Sequence, residues 1–345
     1  MIDSYEEIKG VLLTKANTWL ITGVAGFIGS NLLEALLNLN QNVVGLDNFS
    51  TGTVENLNDV RNSLNDELKW QNFKFIEGDI RNSKDCRNSC DGVDYILHQA
   101  AIGSVTRSIE DPIYTNENNI TGFLNIVLAA RDAKVKRFVY ASSSSVYGDH
   151  PVLPKIEENM GKPLSPYAIT KYVNELYADV FMRIYGLKTI GLRYFNVFGP
   201  RQDPNSTYAA VIPKWFSDLL HGEPVYINGD GETTRDFCFV DNVIQANILS
   251  ACVRNENALG HVYNIAFSEQ NTLRQLFYLI RDETSKQNNG VADETEPVYR
   301  EFRAGDIRFS LADIGKAKKL LGYHPKYSLR DGIGKAAEWY IAKLL

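Results

Sequence analysis

The chain lacks the features of proteins that bind polyanions, cross membranes or depend on disulfides. Its net charge of −6 comes without a long basic run, which argues against a nucleic-acid or membrane-surface partner. No apolar run reaches the length of a membrane span, and the first residues lack the basic start and apolar core of a signal peptide. The four cysteines form no C-x-x-C pair. We therefore expect a cytoplasmic protein with reduced cysteines.

Metal-binding patterns are missing as well. The five histidines are scattered and form no H-E-x-x-H. Cys86 and Cys90 could share a helix face, but no histidine partner accompanies them, so we expect no metal. A hydrophobic content of 44% and a charged content of 23% are typical of a folded globular protein. At 345 residues, the chain is long enough for a main domain with a smaller companion.

Short apolar runs alternate with stretches of helical periodicity over the first part of the chain. This alternation predicts an α/β fold of the Rossmann type, a doubly wound parallel sheet with ligands beyond the carboxyl ends of its strands. After residue 195 the pattern turns irregular, which predicts a nucleotide-binding domain over 1–195, with later contributions near 238–266, and a smaller mixed α/β substrate lobe mainly over 196–345. The predicted strands are 18–22, 43–46, 73–76, 95–98, 138–141 and 189–194.

A glycine turn follows the first predicted strand. Gly23 permits the tight turn, Gly26 lets a pyrophosphate approach the backbone, and Gly29 allows the helix to pack closely on the strand. Asp47 ends the second strand, where a carboxylate can bind an adenosine ribose diol and would repel a 2′-phosphate, so NAD is favoured over NADP. Asp47 could also belong to a simple turn, and Asp79, placed for the adenine edge, could be only a helix cap.

Tyr167 and Lys171 lie four residues apart at the start of a helical stretch, so their side chains share one face. A tyrosine has an ordinary pKa of about 10, and acting as a base near neutrality requires a nearby positive charge, which Lys171 and an oxidised nicotinamide could supply. The spacing alone is more typical of an ordinary amphipathic helix. The hydroxyls of 142–145, which follow a strand and can bind a substrate oxygen, favour a catalytic site, although four serines could also be a plain loop.

Taken together, several motifs resemble the extended short-chain dehydrogenase/reductases over nearly the whole chain. They are G-x-x-G-x-x-G, N-N-I-T-G, S-S-S-S-V-Y-G, Y-x-x-x-K and L-R-Y-F-N-V-F-G. Within that superfamily, S-S-S-x-V-Y-G-D-x-P, S-P-Y, N-G-D-G-E-T-T-R-D-F and F-R-A-G-D most resemble the UDP-hexose 4-epimerases. The similarity is greatest to bacterial enzymes that act on UDP-GlcNAc and UDP-GalNAc.

This resemblance implies a mechanism and a set of residue roles. The O4 proton is abstracted while the C4 hydride passes to tightly bound NAD⁺, the 4-keto sugar rotates, and the hydride returns to the opposite face. Tyr167 would be the base or acid at O4, Lys171 would lower its pKa and hold the nicotinamide ribose, and Ser143 would bond O4. Asn119 would support the active-site helix. The implied cofactor-binding residues are Gly23, Gly26, Phe27, Ile28, Gly29, Asp47, Asn48, Asp79, Ile80, Gln99, Asn119, Tyr167, Lys171 and Tyr194.

The resemblance also implies how the substrate is held. Arg235 and Arg303 match positions that neutralise the pyrophosphate, and Tyr226 with Phe237 would flank the uridine. Ser310 stands where galactose-only relatives often carry a bulky aromatic residue, so it should leave room for an N-acetyl group. The implied substrate-binding residues are Gly103, Ser104, Ser143, Ser144, Tyr167, Asn196, Gln202, Ala210, Val211, Tyr226, Asn228, Arg235, Arg303, Asp306 and Ser310.

Rival readings differ in the residues that they require. A 4,6-dehydratase or a UDP-glucuronate decarboxylase needs a carboxylate where this chain has Ser143-Ser144-Ser145, so elimination lacks its acid and base. A UDP-glucuronate 4-epimerase needs a cation for the sugar carboxylate, and a non-catalytic NAD-binding protein would have lost Tyr167 or Lys171. Relatives further suggest a role in polysaccharide biosynthesis and a homodimer that pairs through residues near 112–133 and 166–186.

Overall fold

The structure is a computed structural model that describes residues 4–204, 210–287, 290, 292–302 and 308–345. The predicted residues Arg303 and Asp306 lie outside this part of the chain. The strands are β1 (Thr18–Thr22), β2 (Asn42–Asp47), β3 (Phe73–Glu77), β4 (Tyr95–His98), β5 (Arg137–Ser143), β6 (Thr189–Tyr194), β7 (Val197–Phe198), β8 (Tyr226–Asn228), β9 (Thr234–Arg235), β10 (Cys238–Phe239), β11 (Val262–Ile265), β12 (Asn271–Thr272) and β13 (Val298–Arg300).

Helices separate most of these strands. A π-helical turn at Glu117–Thr121 joins two of them, and short 3₁₀ turns lie at Ser144–Tyr147 and Glu256–Ala258. The α-helices are α1 (Tyr5–Thr14), α2 (Phe27–Asn38), α3 (Val54–Leu64), α4 (Glu67–Trp70), α5 (Ser83–Cys90), α6 (Val105–Glu110), α7 (Pro112–Asn116), α8 (Gly122–Asp132), α9 (Pro166–Tyr185), α10 (Val211–Leu220), α11 (Val240–Cys252), α12 (Leu273–Gln287), α13 (Gly315–Leu321) and α14 (Leu329–Leu344).

A parallel sheet forms the centre of the molecule, and within the described residues it has seven strands in the order β11-β6-β5-β4-β1-β2-β3. This is the doubly wound α/β arrangement that the alternating pattern predicts, because each right-handed crossover places its helix on a face of the sheet. The fold prediction is confirmed. The strand order reverses between β1 and β4, so their carboxyl ends open a crevice at that point.

Apolar side chains bury both faces of the sheet. One cluster packs α2, α3 and α11 against it and includes Trp19 and Leu36, and the cluster on the other face packs α5, α8 and α9 and includes Phe123 and Phe138. A third cluster lies among α10, α12 and α14, around Trp215 and Phe277. The boundary predicted near residue 195 stays a prediction, and β11, which lies beyond it, belongs to the central sheet.

The six strands predicted from the apolar runs all form. Three match the prediction residue for residue, namely β1, β4 and β6, whereas β3 is longer than predicted by one residue, β2 by two and β5 by three. Helix α2 begins at Phe27, four residues before the periodicity starts at Asn31, because the glycine turn continues directly into the helix. Of the helices that the structure describes, none is long and apolar enough to cross a membrane. Over the same residues, no group of three or more His, Cys, Asp or Glu could hold a metal ion.

Candidate active site

A cavity of about 730 Å³ lies at the carboxyl edge of the central sheet. Its walls come from the glycine turn, from the ends of β2, β4, β5 and β6, from the segment after β7 and from the last turn of α14. Parallel strands bring their carboxyl ends to one edge, so residues far apart in the sequence meet here. The crevice predicted by the strand order is therefore a real cavity.

The glycine turn forms one end of the cavity. Gly23 has a φ of 71°, in the left-handed region that favours glycine, and a Cβ there would lie 2.8 Å from the amide nitrogen of Ala100. A Cβ on Gly29 would overlap the carbonyl oxygen of Gly23. Because neither position has room for a side chain, the main chain at the start of α2 can form the cavity wall. Phe27 and Ile28 lie on the same wall, where the helix N-terminus favours an anion.

Asp47 lies on the cavity wall at the end of β2. Its carboxylate accepts hydrogen bonds from the amide nitrogens of Ala25, at 2.9 Å, and Phe49, at 2.8 Å. Burial raises the pKa of the Asp47 carboxyl, and these hydrogen bonds oppose the shift. Asn48 also lies on the wall. These donors fix the carboxylate on the cavity wall, and its role as the ligand of an adenosine ribose stays a prediction.

Asp79 occupies a different position from Asp47. Its carboxylate forms an ion pair with Arg81 at 2.7 Å and accepts a hydrogen bond from the Asn48 side chain at 2.9 Å, and it does not line the cavity. Its neighbours Gly78 and Ile80 do line the cavity. Ile80 therefore lies in the predicted cofactor groove. Asp79 does not, but it contacts Asn48, which lines the groove.

Tyr167 and Lys171 project from the first turns of α9 into the cavity. Ser165 caps this helix by accepting from the amide of Ala168 at 3.1 Å, and Pro166 stands at its first position. The Lys171 ammonium donates to the carbonyl oxygen of Ala141 at 2.9 Å and lies 5.9 Å from the centre of the Tyr167 ring. The predicted pair shares one face and faces the sheet.

The electrostatics of this pair follow from its burial. Burial lowers the pKa of Lys171 to about 8, against an opposing effect of the Glu175 carboxylate. Burial also raises the pKa of the Tyr167 phenol, and a hydrogen bond with Ser143 opposes the shift. Tyr167 can therefore accept a proton only as the phenolate, and forming the phenolate requires help from an adjacent positive charge and from Ser143. Both aids lie in the same cavity.

Ser143 ends β5 and faces Tyr167. Its hydroxyl oxygen accepts from the amide and the hydroxyl of Ser145, at 3.2 and 3.0 Å, which fixes the turn after the strand. Ser144 lies in that turn and does not line the cavity. Among the four consecutive serines, Ser142 and Ser143 are the two that reach the cavity wall.

Asn119 supports the site from behind. It lies in the π-helical turn, and its side chain accepts from the amide of Ile102 at 2.8 Å and donates to the Ile102 carbonyl at 3.0 Å and to Thr170 at 3.1 Å. These contacts join the loop after β4 to α9. Asn119 is 2% exposed and does not line the cavity, whereas its neighbour Asn118 does.

The predicted substrate residues separate into two groups. One group lines the same cavity as Tyr167, and the other does not reach it. On the wall are Gly103, Ser104, Ser143, Asn196, Gln202 and Ala210, together with the cofactor candidates Gln99 and Tyr194. Away from it are Ser144, Val211, Tyr226, Asn228, Arg235 and Ser310.

The residues expected around uridine show their own contacts. The Arg300 guanidinium covers one face of the Tyr226 ring at 3.1 Å from its centre, so a base could stack only on the other face. Phe237 is buried and packs edge-to-face against Phe198 at 6.5 Å. Arg235 donates to the carbonyl of Thr234 at 2.9 Å. Their assignment to uridine and pyrophosphate stays a prediction.

Several residues that line the cavity could not be predicted from any pattern in the sequence. Arg201, which is 5% exposed, forms ion pairs with Glu34 on α2 at 2.5 Å and with Asp59 on α3 at 2.7 Å. Trp339 on α14 donates to the same Asp59 carboxylate at 3.1 Å. These contacts fasten the segment after β7 and the last helix to the glycine-turn half of the molecule. Arg107, on α6, also lies on the wall.

The donor set fits NAD. A helix N-terminus for the pyrophosphate, the Asp47 carboxylate for a ribose diol and the Lys171 ammonium for the second ribose lie along one continuous wall. Gly23 and Gly29, where a Cβ would meet backbone atoms, keep this wall clear. The tertiary structure thus brings the predicted cofactor residues other than Asp79 and Asn119 to one cavity, while the role of each residue stays a prediction.

Known proteins of related sequence include several UDP-sugar 4-epimerases. Residues 19–266 match the model of the NAD dependent epimerase/dehydratase family. A UDP-glucose 4-epimerase of Mycolicibacterium smegmatis is 35% identical, over 93% of this chain and 97% of that protein. A UDP-glucuronate 4-epimerase of Thermodesulfobacterium geofontis is 33% identical, over 93% of this chain and 95% of that protein.

A solved structure has a comparable sequence identity to this chain. The UDP-N-acetylglucosamine 4-epimerase of Methanobrevibacter ruminantium, in complex with UDP-N-acetylmuramic acid, superposes with a TM-score of 0.85 at 37% identity and covers 95% of this chain and 99% of that one. The matched family is NAD-dependent, which is consistent with a cavity whose residues fit NAD. The chain belongs to the NAD-dependent epimerase/dehydratase family of extended short-chain dehydrogenase/reductases, within its UDP-sugar 4-epimerase branch, and NAD is its cofactor.

Proposed function

We propose that the chain interconverts UDP-GlcNAc and UDP-GalNAc by reversible oxidation at C4. The observation that carries this proposal is that Tyr167, Ser143 and Lys171 line one cavity, which Gly103 and Ser104 also line. The first three supply a proton acceptor, a hydroxyl partner for O4 and a compensating charge. The last two are small, which favours a sugar with an additional acetyl group. The similar UDP-N-acetylglucosamine 4-epimerase supports the same substrate class.

The protein's own groups carry the proton chemistry in this proposal. Ser143 binds the O4 hydroxyl. Tyr167 begins as the phenolate, which the Lys171 ammonium stabilises, and it becomes the phenol when it accepts the O4 proton. Bound NAD supplies the acceptor, and later the donor, of the C4 hydride. Inverted configuration requires the sugar to present its other face, after which Tyr167 returns the proton to O4. The cycle leaves the residues as they began, so no reductant is consumed.

The substrate class is tested with the purified protein and four UDP-sugars. UDP-GlcNAc, UDP-GalNAc, UDP-galactose and UDP-glucuronate are supplied in competition, without added reductant, and the products are separated by chromatography. We expect UDP-GlcNAc and UDP-GalNAc to interconvert at the highest kcat/KM. Inertness towards all four would contradict the epimerase proposal and favour a non-catalytic NAD-binding protein.

The proposed acetyl selectivity includes Ser310. The segment around it is tied down at both ends, because Thr234 donates to the Arg308 carbonyl at 2.9 Å and the Ala312 amide donates to the Asp236 carboxylate at 3.0 Å. The Lys155 amide also donates to the carbonyl of Leu311 at 2.8 Å. A residue at position 310 thus has a fixed backbone. Ser310 itself does not line the cavity, so the proposal requires that a larger side chain at this position extend into the space that an N-acetyl group would occupy.

Replacing Ser310 by a large aromatic residue therefore tests the selectivity. For Ser310→Tyr we expect the ratio of kcat/KM for UDP-GalNAc to that for UDP-galactose to fall about tenfold or more, because a rigid ring excludes the acetyl group. Ser310→Ala is the matched control and should keep the wild-type ratio. Equal losses on both substrates in Ser310→Tyr would refute the selectivity argument.

A second candidate, UDP-glucuronate 4-epimerase, is favoured by one observation. Arg107 lies on the cavity wall with Ser104 and Asn118, so a cation is present where the sequence alone could not place one. Similarity to the UDP-glucuronate 4-epimerase relative supports the same alternative. In the four-substrate competition, preferential turnover of UDP-glucuronate would replace the N-acetylhexosamine proposal with this one.

We further propose that two copies pair through α7 and α9. The outer face of these adjacent helices exposes Ile113, Ile169, Leu176 and Ile184, and Ile113 is 72% and Ile184 67% exposed. Large apolar side chains grouped on one surface are typical of an interface. The helices lie within the segments predicted to pair.

The pairing is tested by changing the apolar face. We expect Leu176→Lys to convert a wild-type dimer into a monomer in light scattering after gel filtration, because a lysine ammonium would be buried against apolar side chains. Leu68→Lys, at a position that is 74% exposed on α4, is the matched control and should remain dimeric. A monomeric wild-type protein, or a dimeric Leu176→Lys variant, would contradict the proposal.

A further inference from the structure

A buried ion pair lies directly behind the proposed catalytic couple. The Glu175 carboxylate, on α9, accepts from the Arg193 guanidinium on β6 at 2.9 and 2.8 Å. The two side chains are 7% and 3% exposed. A buried ion pair adds little net stability compared with apolar residues of similar volume, since both charges lose their hydration. Stability alone therefore does not explain this ion pair, which lies next to the proposed active site.

Glu175 is the third member of a stripe along α9. Tyr167, Lys171 and Glu175 are spaced by one helical turn each, so all three face the same strand. Lys171 donates to the carbonyl of Ala141, and Glu175 accepts from the Ser142 hydroxyl at 2.5 Å. Successive turns of the helix thus hold successive residues at the end of β5.

The strand pairing explains why Glu175 has both partners. Ser142 on β5 lies opposite Arg193 on β6 in the register of the sheet, so both side chains point to the same face, towards α9. Arg193 is fixed further by donating to the Glu157 carbonyl at 2.9 Å and by the Tyr147 ring 4.8 Å away. The carboxylate is thereby held in a single position.

We propose that Glu175 is a positioning residue that sets Ser143 and Lys171 for the reaction, by anchoring Ser142 and by balancing the buried Lys171 charge. This inference rests on the proposed roles of Tyr167, Lys171 and Ser143. Release of Ser142 would free the strand end that presents the next residue, Ser143, to the substrate O4. Removal of the carboxylate charge would leave two buried cations, Lys171 and Arg193, without their anion.

The other groups around this cluster do not replace that anion. His98, on β4, is neutral because burial, and secondarily the Lys171 charge, lower its pKa to about 3. Tyr140, on β5, stays protonated because burial raises its pKa well above the ordinary value. The Glu157 carboxylate accepts from the amide of Asn264 at 2.8 Å, and burial raises its pKa. Glu175 is the carboxylate that raises the pKa of Lys171 against the effect of burial.

The test is the pH profile of Glu175→Gln on the substrate that the wild-type protein turns over. The amide keeps the shape and can still accept from Ser142, but it no longer raises the pKa of Lys171. Activity requires the ammonium and falls as pH rises through that pKa, so the alkaline limb of kcat should move to lower pH. We expect kcat at pH 8 to fall about tenfold or more, with KM within about twofold and NAD content unchanged.

Asp179→Asn is the matched control, because Asp179 is the next acid along α9 and forms an exposed pair with Arg183. It should keep the wild-type profile. Glu175→Asp, which retains the charge, should restore the alkaline limb. An active wild-type protein with a Glu175→Gln profile that overlays it would overturn the inference, whereas a wild-type protein inert on all UDP-sugars would overturn the proposed function instead.

Ser142→Ala provides a second test if Glu175→Gln does not fold. It removes the hydroxyl that Glu175 holds and leaves the ion pair intact. We expect kcat to fall about fivefold or more with little change in KM, because the strand end loses its anchor. A wild-type kcat in Ser142→Ala would contradict the positioning role.

Discussion

Tyr167→Phe should abolish most epimerase activity while leaving the fold and the bound NAD intact. The change removes a single oxygen atom, and the ring remains in its place on α9 beside Lys171. In the proposed mechanism the phenolic oxygen accepts the O4 proton, and the Ser143 hydroxyl that remains is too weak a base near neutral pH to replace it. We expect kcat to fall about a thousandfold, measured by the rate of product formation from UDP-GlcNAc.

The loss must be specific to this phenol. Tyr172→Phe, on the exposed side of the same helix, removes an equivalent oxygen outside the cavity and should behave like the wild-type protein. NAD content after denaturation and the Tm should match the wild-type values in both variants. Near-wild-type turnover by Tyr167→Phe would show that another group carries the proton.

Gly29→Ala should remove NAD from the purified protein and lower its stability. The added Cβ would overlap the carbonyl oxygen of Gly23 and press on Val24, and backbone atoms there cannot rotate away. The start of α2 must therefore move out from the turn, which misplaces the amides that face the pyrophosphate. We expect the free energy of unfolding to fall by about 3 kcal/mol, measured by urea denaturation, together with loss of NAD.

Gly10→Ala distinguishes this clash from the general effect of adding a methyl group. Gly10 lies in α1, and a Cβ there would meet nothing within 4 Å. Alanine is favoured over glycine in a helix, so this control should gain up to about 1 kcal/mol and keep its NAD. If Gly29→Ala retained wild-type NAD content, the glycine turn would not be the pyrophosphate site.

Much of the fold follows from local features of the sequence. The apolar runs predict β1, β4 and β6 to the residue, because buried parallel strands are short and continuously apolar and end at polar or glycine residues. The glycine turn predicts its own geometry, since the left-handed φ of Gly23 and the close packing of Gly29 exclude other residues. The strand ends then predict which side chains line the same cavity, as Asp47 and Ser143 do.

Other parts of the site depend on contacts between distant segments. Asp79 lies near a strand end as Asp47 does, yet it forms an ion pair with Arg81 and does not line the cavity. Asn119, predicted to support the active-site helix, contacts Thr170 on that helix and also Ile102, and it does not line the cavity. No local pattern distinguishes an acid at a strand end that faces a ligand from one that faces its neighbour.

The sequence by itself determined six of the seven strands of the sheet, the glycine turn and the spacing of Tyr167 and Lys171, because each depends on residues within about one element of the chain. Only the tertiary structure joined Glu175 to Arg193 and Ser142, and Arg201 to Asp59 and Trp339. These groups come from separate strands and helices, and their charges are stabilised only where folding removes water and brings the partners together. The reacting groups can thus be predicted from the local sequence, whereas the contacts that hold them depend on the packing of the whole chain.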